Sequence, residues 1–288
     1  MNALTLSVVI PTRNRPDRLK KCLEALLIAR QFISFECCVC DSTQDPGLRQ
    51  QVKAVVEQSQ FARYFYHTGK NAAAARNYCA KSASGDLLIT VDDDVYVEPE
   101  SIKRLHDHYV GLEDKNGIVS GSVKFGDAFS RPVVMRSNGY GRNAQKKELS
   151  DFVVSAFLLY PRAVIERYPW NERIKSSEDR LMGSLWRRAG VEMHFLESAK
   201  AIHDVNLNSY DVAHQRSHIY ANLFDAIFVR KSIYWLFCFE FLGFAAGAKK
   251  YFRRGSEAFA YIDAWYLGHK DFIQDWNYLQ KLGRVNAL

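Results

Sequence analysis

Apolar and polar positions alternate in blocks along the first hundred residues, and the blocks predict strands and helices in turn. Short apolar runs ended by polar or turn-forming residues predict strands at 4–10, 35–40, 62–66 and 87–91. Between them, apolar residues recur at helical spacing after Pro16, around Val52–Val56 and in the alanine-rich stretch 72–83 that stops at Gly85. This alternation predicts an α/β fold with a mainly parallel sheet and helices on both faces.

Acidic residues follow two of these predicted strands at the point where each strand ends. Asp41 comes after the second strand, and Asp92, Asp93 and Asp94 come directly after the fourth. Ligands of parallel α/β sheets bind outside the carboxyl ends of the strands. The sequence therefore predicts a site that both acidic positions border.

Three adjacent carboxylates repel one another, and each raises the pKa of its neighbours unless a cation shares the site. Magnesium or manganese ions would supply that cation, because both bind hard oxygen ligands and usually keep substrate phosphates as further ligands. A solvated acidic turn is the alternative, with Asp92 or Asp94 capping the helix predicted near Pro99. These residues alone do not decide between the two interpretations.

The rest of the chain is less regular and ends in an apolar, helical region. Strands are predicted at 118–125 and 151–160, a polar mobile loop at 127–150, and an amphipathic helix at 181–189. The segment 232–248 is the most apolar, but it is shorter than the ~20 residues of a spanning helix and contains Glu240. Lysines and arginines flank it, which favours a segment lying on an anionic membrane surface over a buried helix hairpin.

Composition and charge limit the partners. The 288 residues carry a net charge of +7 and 48% hydrophobic residues, as expected for a packed globular protein with polyanionic or phosphorylated ligands. No nucleic-acid-binding motif is present, so no nucleic acid partner is expected. Six cysteines without paired spacing predict buried free thiols, and the lack of a secretory signal predicts a cytoplasmic location, with peripheral contact at the inner face of the cell membrane.

Several motifs share their order and spacing with one enzyme family. They are Ser7-Val8-Val9-Ile10-Pro11-Thr12-Arg13-Asn14-Arg15, Asp41-Ser42, Asn71 to Asn77, Ser84-Gly85-Asp86, Val91-Asp92-Asp93-Asp94, and Glu178-Asp179-Arg180-Leu181. Over residues 5–205 the sequence resembles the inverting family 2 glycosyltransferases. The resemblance implies a single Rossmann-like nucleotide-diphospho-sugar transferase domain over 1–218, with a donor-binding half to about 110 and an acceptor-side half beyond it. A helical C-terminal extension would occupy 219–288.

The resemblance also implies roles for matching residues. Donor contacts would come from Pro11, Thr12, Arg13, Asp41, Arg76, Asp92 and Asp93, although no particular role for Asp93 follows. Asp94 would bind Mn²⁺ or Mg²⁺, and His203 stands where some members place a further metal or diphosphate contact. Asp179 would be the catalytic base, with Glu178 beside it on the acceptor side.

The implied reaction is transfer of a sugar from a nucleotide-diphospho-sugar to a hydroxyl of a glycan or lipid-linked glycan, in cell-surface polysaccharide biosynthesis. Residues 215–218 do not match the Gln-x-x-Arg-Trp motif of processive synthases, so a non-processive enzyme is expected. Two alternatives stay open. One is a non-catalytic, membrane-associated assembly subunit with the same fold, and the other is a sugar nucleotidyltransferase, which the absence of glycine from the 12–16 loop disfavours.

Overall fold

The structure is a computed structural model that describes residues 4–69, 71–145, 149–174, 178–204, 212–252 and 257–284. The chain divides into two compact units, each built from three separate stretches. The first unit comprises Met1–Arg131, Val153–Glu172 and Glu192–Leu207. The second comprises Pro132–Phe152, Arg173–Val191 and Asn208–Leu288. The predicted division into 1–218 and 219–288 stays a prediction.

A nine-stranded sheet forms the centre of the first unit, counted over the described part of the chain. Numbered along the whole chain, its strands are β1 (Leu6–Thr12), β2 (Glu36–Asp41), β3 (Ala62–Tyr66), β4 (Leu87–Val91), β5 (Val95–Val97), β6 (Ile118–Phe125), β7 (Ala128–Phe129), β10 (Phe157–Pro161) and β11 (Met193–His203). Their order is β3-β2-β1-β4-β10-β6-β11-β5, with β7 beside β6. The first four strands pair in parallel, as do β6 and β11, whereas β10 and β5 run antiparallel to their neighbours. The mainly parallel sheet predicted from the sequence is confirmed.

The predicted apolar runs form this sheet because their apolar side chains are buried along the whole length of the strands. Every residue of β1 and β4 is buried, as expected for strands covered on both faces. The described residues of the unit form the helices α1 (Pro16–Ala29), α2 (Pro46–Ser59), α3 (Ala72–Ser82), α4 (Ser101–Val110) and α5 (Arg162–Arg167). The side chains of Asp45 and Asn71 cap α2 and α3 by accepting hydrogen bonds from the amides of Leu48 and Ala74.

Some local predictions differ from the structure. The strand predicted at 151–160 begins only at Phe157, and the predicted loop at 127–150 contains three short strands. Strands β5 and β11 had no clear sequence signal. β5 is only three residues long, and β11 mixes buried and exposed positions without regular alternation, so hydrophobic periodicity does not mark either.

The second unit is mainly helical. Its elements are the hairpin of β8 (Val133–Met135) and β9 (Gly141–Asn143), and the helices α6 (Glu178–Arg188), α7 (Val212–Phe224), α8 (Ile233–Phe237), α9 (Phe244–Phe252), α10 (Glu257–Gln274) and α11 (Trp276–Leu282). Two π-helical turns, Asp225–Val229 and Cys238–Gly243, follow α7 and α8. Glycine is required at position 183 of α6, because a Cβ there would lie 2.8 Å from the carbonyl oxygen of Asp151. The C-terminal helical region predicted from the sequence is confirmed.

The apolar segment 232–248 is helical but not fully buried. Cys238 and Phe239 face the interior of the second unit, whereas Ile233 and Phe241 are 86% and 62% exposed. The segment is therefore buried on one face and exposed on the other. Within the described ranges, no helix combines the length and apolar character that crossing a membrane requires. All six cysteines are buried free thiols, as predicted.

Candidate active site

The carboxyl ends of β1, β2 and β4 bring the predicted donor residues of the first unit to one edge of the sheet. Thr12 and Asp41 are the last residues of β1 and β2 and face each other in the strand register. The amide of Ser42 donates to the carbonyl of Thr12 over 3.0 Å, which holds the two strand ends together. Asp92 follows β4 directly, so the parallel pairing places the acidic run beside this edge.

Asp41 is fully buried and fixed by two donors. Its Oδ1 accepts a 2.8 Å hydrogen bond from the amide of Thr43, and its Oδ2 accepts a 2.9 Å bond from the hydroxyl of Tyr64. Burial and the bond to Asp41 together raise the pKa of the Tyr64 hydroxyl, which keeps it a donor at all physiological pH. These two bonds fix the orientation of the Asp41 side chain.

Asp93 is one of two buried members of the acidic run. It is 4% exposed and accepts hydrogen bonds from the Thr12 hydroxyl at 2.7 Å and the Arg15 guanidinium at 3.1 Å. Burial raises the pKa of the Asp93 carboxyl to about 6, and the neighbouring aspartates add to the rise while Arg15 and Thr12 oppose it. Thr12 and Asp93 thus form one hydrogen-bonded pair that joins β1 to the loop after β4.

Asp94 is buried to a similar extent, but its pKa shifts in the opposite direction. Burial alone would raise its pKa, but His203, Arg15 and Arg18 bring it below the ordinary value. The distances are 2.9 Å from Oδ1 to His203 Nε2, and 2.6 and 3.1 Å from Oδ2 to the Arg15 and Arg18 guanidinium groups. Asp94 is therefore ionised, and its carboxylate contacts two guanidinium groups and one imidazole nitrogen.

Arg76 on α3 holds the first aspartate of the run. Its guanidinium donates to Asp92 Oδ1 over 2.7 Å and lies over the Trp170 ring, 5.3 Å from the centroid. The arginine is only 2% exposed, so the pair is shielded from solvent on the Arg76 side. Asn77, next to it, both donates to the Trp170 carbonyl and accepts from the Trp170 amide. These bonds fix the ring beneath the guanidinium.

The structure changes the reason given for a metal at the acidic run. The sequence predicts a divalent cation that offsets the repulsion among the carboxylates. In the structure, Arg15, Arg18 and Arg76 already neutralise these carboxylates. Repulsion by itself therefore does not require a metal here. Neither Arg15 nor Arg18 was among the site residues predicted from the sequence. Their position beside the start of α1, close to a strand end, was the available signal.

His203 and Asp94 form the pair best suited to a metal ion. Carboxylate oxygen and imidazole nitrogen are both accepted by Mn²⁺. His203 Nδ1 is buried without a hydrogen-bond partner among the described residues, and the ring packs edge-on against Phe125. In the part of the chain that the structure describes, no group of three acidic, histidine or cysteine side chains is placed to hold a metal. The pair therefore fits an ion whose other ligands are substrate phosphates and water.

Four predicted residues remain, two in each unit. Pro11 is buried inside β1, and Arg13 is exposed on the loop after it. Glu178 and Asp179 belong to the second unit, in the first turn of α6, where Asp179 Oδ1 accepts from the amide of Arg180. An acidic first turn complements the helix dipole, so this capping interaction is compatible with a second role for Asp179.

Comparison with known sequences identifies the family. The sequence profile described as glycosyl transferase family 2 matches residues 7–169, more than half of the chain. The chain belongs to this family. An uncharacterized protein of Haemophilus influenzae is 31% identical over 112 residues, which are 37% of this chain and 59% of that protein. The O-antigen biosynthesis protein RfbC of Myxococcus xanthus is 27% identical over 95 residues, which are 32% of this chain and 7% of that protein. The chain thus spans less than two thirds of either relative.

Solved structures share the fold at low sequence identity. GalNAc-T7, solved with UDP, GalNAc and Mn²⁺, superposes with a TM-score of 0.62 at 12% identity, covering 98% of this chain and 59% of that one. The mannosyltransferase PcManGT of Pyrobaculum calidifontis, solved with GDP-Man and Mn²⁺, gives 0.58 at 13% identity, covering 98% and 86%. The fold is therefore that of the nucleotide-sugar transferases, as the resemblance implied.

Proposed function

We propose that the chain is an inverting, non-processive glycosyltransferase acting on a nucleotide-diphospho-sugar and a glycan or lipid-linked glycan. One observation carries the proposal: Thr12, Asp41, Arg76 and the acidic run meet at one sheet edge in a family 2 chain. The UDP and GalNAc in the GalNAc-T7 structure and the GDP-Man in the PcManGT structure support the donor class. The name of RfbC supports a place in cell-surface polysaccharide biosynthesis.

On the donor side, each residue binds a different part of the nucleotide sugar. Asp41 accepts from the base, because its buried carboxylate is already oriented by Tyr64 and Thr43. Pro11, Thr12 and Arg13 line the nucleotide, and Asp92 binds the ribose side. Arg76 stabilises the charge that develops on the diphosphate leaving group.

Asp94 and His203 would hold the divalent ion, Mn²⁺ or Mg²⁺. When bound, the ion would supply charge stabilisation for the diphosphate. For this to happen, Arg15 and Arg18 must share the Asp94 carboxylate with it or release it, because both contact that carboxylate directly. The role of Asp93 is to hold Thr12 and Arg15, which is the one function that its contacts support.

On the acceptor side, Asp179 is the general base and Glu178 helps to shape the acceptor site. Asp179 takes the proton from the acceptor hydroxyl while the oxygen of that hydroxyl forms a bond to the anomeric carbon. The bond from that carbon to the diphosphate breaks in the same displacement, so the anomeric centre inverts. Cytoplasmic location, with peripheral contact at the inner face of the membrane, stays a prediction of the sequence.

Ligand binding and turnover by matched variants test the proposal. Thermal stability would be measured with a panel of nucleotide sugars, with and without manganese, and nucleoside diphosphate release would be followed in parallel. We expect Asp94→Ala to lose the manganese-dependent stabilisation and turnover. Asp179→Asn is expected to keep donor stabilisation and lose turnover. Asp107→Ala, an exposed aspartate on α4, is the control and should behave as wild type.

Each result bears on a different part of the proposal. Turnover by Asp179→Asn at the wild-type rate would reject Asp179 as the base. Manganese-dependent stabilisation of Asp94→Ala would reject Asp94 as a ligand. If the wild-type chain neither binds nor turns over any nucleotide sugar, the non-catalytic assembly subunit becomes the better assignment.

A further inference from the structure

A row of large apolar side chains is exposed along the helical segment formed by α8, the π-helical turn Cys238–Gly243 and α9. Its members are Ile233, Tyr234, Phe237, Phe241 and Leu242, with exposed fractions of 86, 67, 56, 62 and 56%. We call this row the apolar stripe. Side chains of this size are usually covered, and a contiguous exposed patch of them marks an interaction surface.

The stripe is one continuous face of the segment. Ile233, Phe237 and Phe241 recur at intervals of four residues, which places them on one side of the segment, and Tyr234 and Leu242 are exposed beside them. Phe237 and Phe241 pack against each other with ring centroids 4.6 Å apart. Ala245 and Ala246 continue the exposed side into α9.

The opposite face anchors the segment to the second unit. Phe239 stacks on Trp265 of α10 at 4.9 Å, and Phe244 packs edge-on against the same ring at 5.1 Å. Gly243 and Cys238 are also buried on this side. The stripe is therefore held on a fixed support and does not result from an unpacked helix.

The single acidic residue of the segment points away from the stripe. Glu240 Oε1 lies 2.8 Å from His269 Nε2 on α10. The carboxylate is thereby paired on the anchored side, and the exposed face carries no negative charge between Ile233 and Lys250. Glu240 therefore does not interrupt the exposed apolar face.

Positive charges stand at both ends of the stripe. Lys231 precedes it, and Lys249 and Lys250 follow it, all exposed. From Ile233 to Lys250 the axis measures roughly 27 Å at 1.5 Å per residue, so a helix lying flat would place both cationic ends at one surface. Aromatic side chains between cations suit the interface of an anionic bilayer, where rings enter the headgroup region and lysines meet phosphates.

Self-association along the stripe is disfavoured by the same charges. A twofold axis places the same surface on both partners. In an antiparallel pair, Lys231 of one copy would face Lys249 and Lys250 of the other, and in a parallel pair each lysine would face its own copy. Like charges would meet at both ends in either case, whereas an anionic surface attracts all three.

We propose that the apolar stripe lies in the interface of an anionic bilayer, with its axis parallel to the membrane. The proposal names the surface and deepens the proposed function, since it would bring the chain to a lipid-linked acceptor. The test of membrane binding requires no turnover. A negative result would therefore reject membrane binding and leave the proposed glycosyltransferase function unaffected. The helix α10 also exposes Phe259 and Tyr266, but Asp263 lies between them and makes that face less suited to anionic lipid.

Co-sedimentation with vesicles tests the proposal. Wild-type protein is expected to bind vesicles of phosphatidylcholine mixed with phosphatidylglycerol, to bind phosphatidylcholine alone much more weakly, and to be released by salt. Phe237→Glu with Phe241→Glu should weaken binding to the anionic vesicles at least about tenfold, since apolar contact is lost and negative charge is added. Lys249→Glu with Lys250→Glu should have a similar effect through charge.

Controls separate loss of binding from loss of structure. Leu27→Glu replaces a side chain that is 51% exposed on α1 and should bind as wild type. The stripe variants should keep the wild-type melting temperature and donor-dependent stabilisation, because the substituted side chains are exposed. Equal vesicle binding by wild type and the Phe237/Phe241 variant, or no binding by wild type, would overturn the proposal. So would light scattering that shows a dimer in wild type and a monomer in that variant.

Discussion

Glu36 at the start of β2 holds three segments of the first unit together, and its ionisation should be measurable as stability. Its Oε2 accepts hydrogen bonds from the Ser7 hydroxyl at 2.7 Å, and from the amide and hydroxyl of Ser84 at 2.7 and 2.9 Å. Arg63 on β3 donates to the other oxygen. Through these bonds one carboxylate ties β1, β3 and the loop that leads into β4.

The magnitude follows from the pKa of the Glu36 carboxyl. Burial would raise that pKa, but the hydrogen bonds from Ser7, Ser84 and Arg63 outweigh it and lower the pKa from 4.5 to about 2. At about 1.4 kcal/mol per pKa unit, this difference corresponds to an upper bound of roughly 3 kcal/mol. The side chain is 18% exposed, so solvent screening reduces the expected contribution to about 1–2 kcal/mol.

We expect Glu36→Gln to lower the free energy of unfolding by about 1–2 kcal/mol at neutral pH. Because the folded-state pKa is depressed, the stability is fully present above the unfolded value of 4.5 and is lost as pH falls from there towards 2. The difference between wild type and variant should therefore narrow below 4.5. Urea unfolding at a series of pH values, followed by circular dichroism, measures it.

A matched glutamate separates this effect from general acid sensitivity. Glu57 is 61% exposed on α2 and pairs with Lys53 across one helical turn. Glu57→Gln should stay close to wild type at every pH, as exposed helix pairs contribute little. A constant difference between wild type and Glu36→Gln down to pH 3 would refute the electrostatic reasoning, and would point to packing as the cause.

Two further predictions concern buried contacts of the first unit. Arg76→Met should lower the free energy of unfolding by about 3 kcal/mol, because Asp92 is left without its buried partner, and adding Asp92→Asn should restore part of it. Equal stability of the single and double variants in urea would show that the ion pair is not responsible. Gly85→Ala should cost about 1–3 kcal/mol, since its Cβ would lie 2.7 Å from the Ser7 amide nitrogen. Gly111→Ala, whose Cβ would meet its nearest neighbour at 3.4 Å, is the control, and thermal melting of both variants at the wild-type temperature would contradict the steric argument.

Local patterns in the sequence determined the strands and helices of the donor side. The apolar runs before Asp41 and Asp92 are continuous, and they are continuous because both faces of β2 and β4 are buried. Parallel pairing of these strands follows from the helices between them. The position of both acidic sites at one sheet edge was therefore predictable from residues that are close in the chain.

Only the tertiary structure decided which side chains meet there. His203 lies 109 residues beyond Asp94, and β11, which carries it, has no regular hydrophobic pattern. Arg15, which precedes Asp94 in the chain, contacts the same carboxylate. Contacts of this kind depend on how strands are ordered across the sheet, which hydrophobic periodicity does not encode.

The same limit applies to the apolar segment near the C-terminus. Its composition determined that it is helical and that it carries aromatic residues between cations. Composition could not determine which face is covered, because Glu240 and Phe241 are neighbours in sequence, yet Glu240 pairs with His269 of α10 while Phe241 is exposed. Packing against α10 turns the carboxylate inwards and leaves the apolar stripe outside, since burying Glu240 requires the partner that His269 provides.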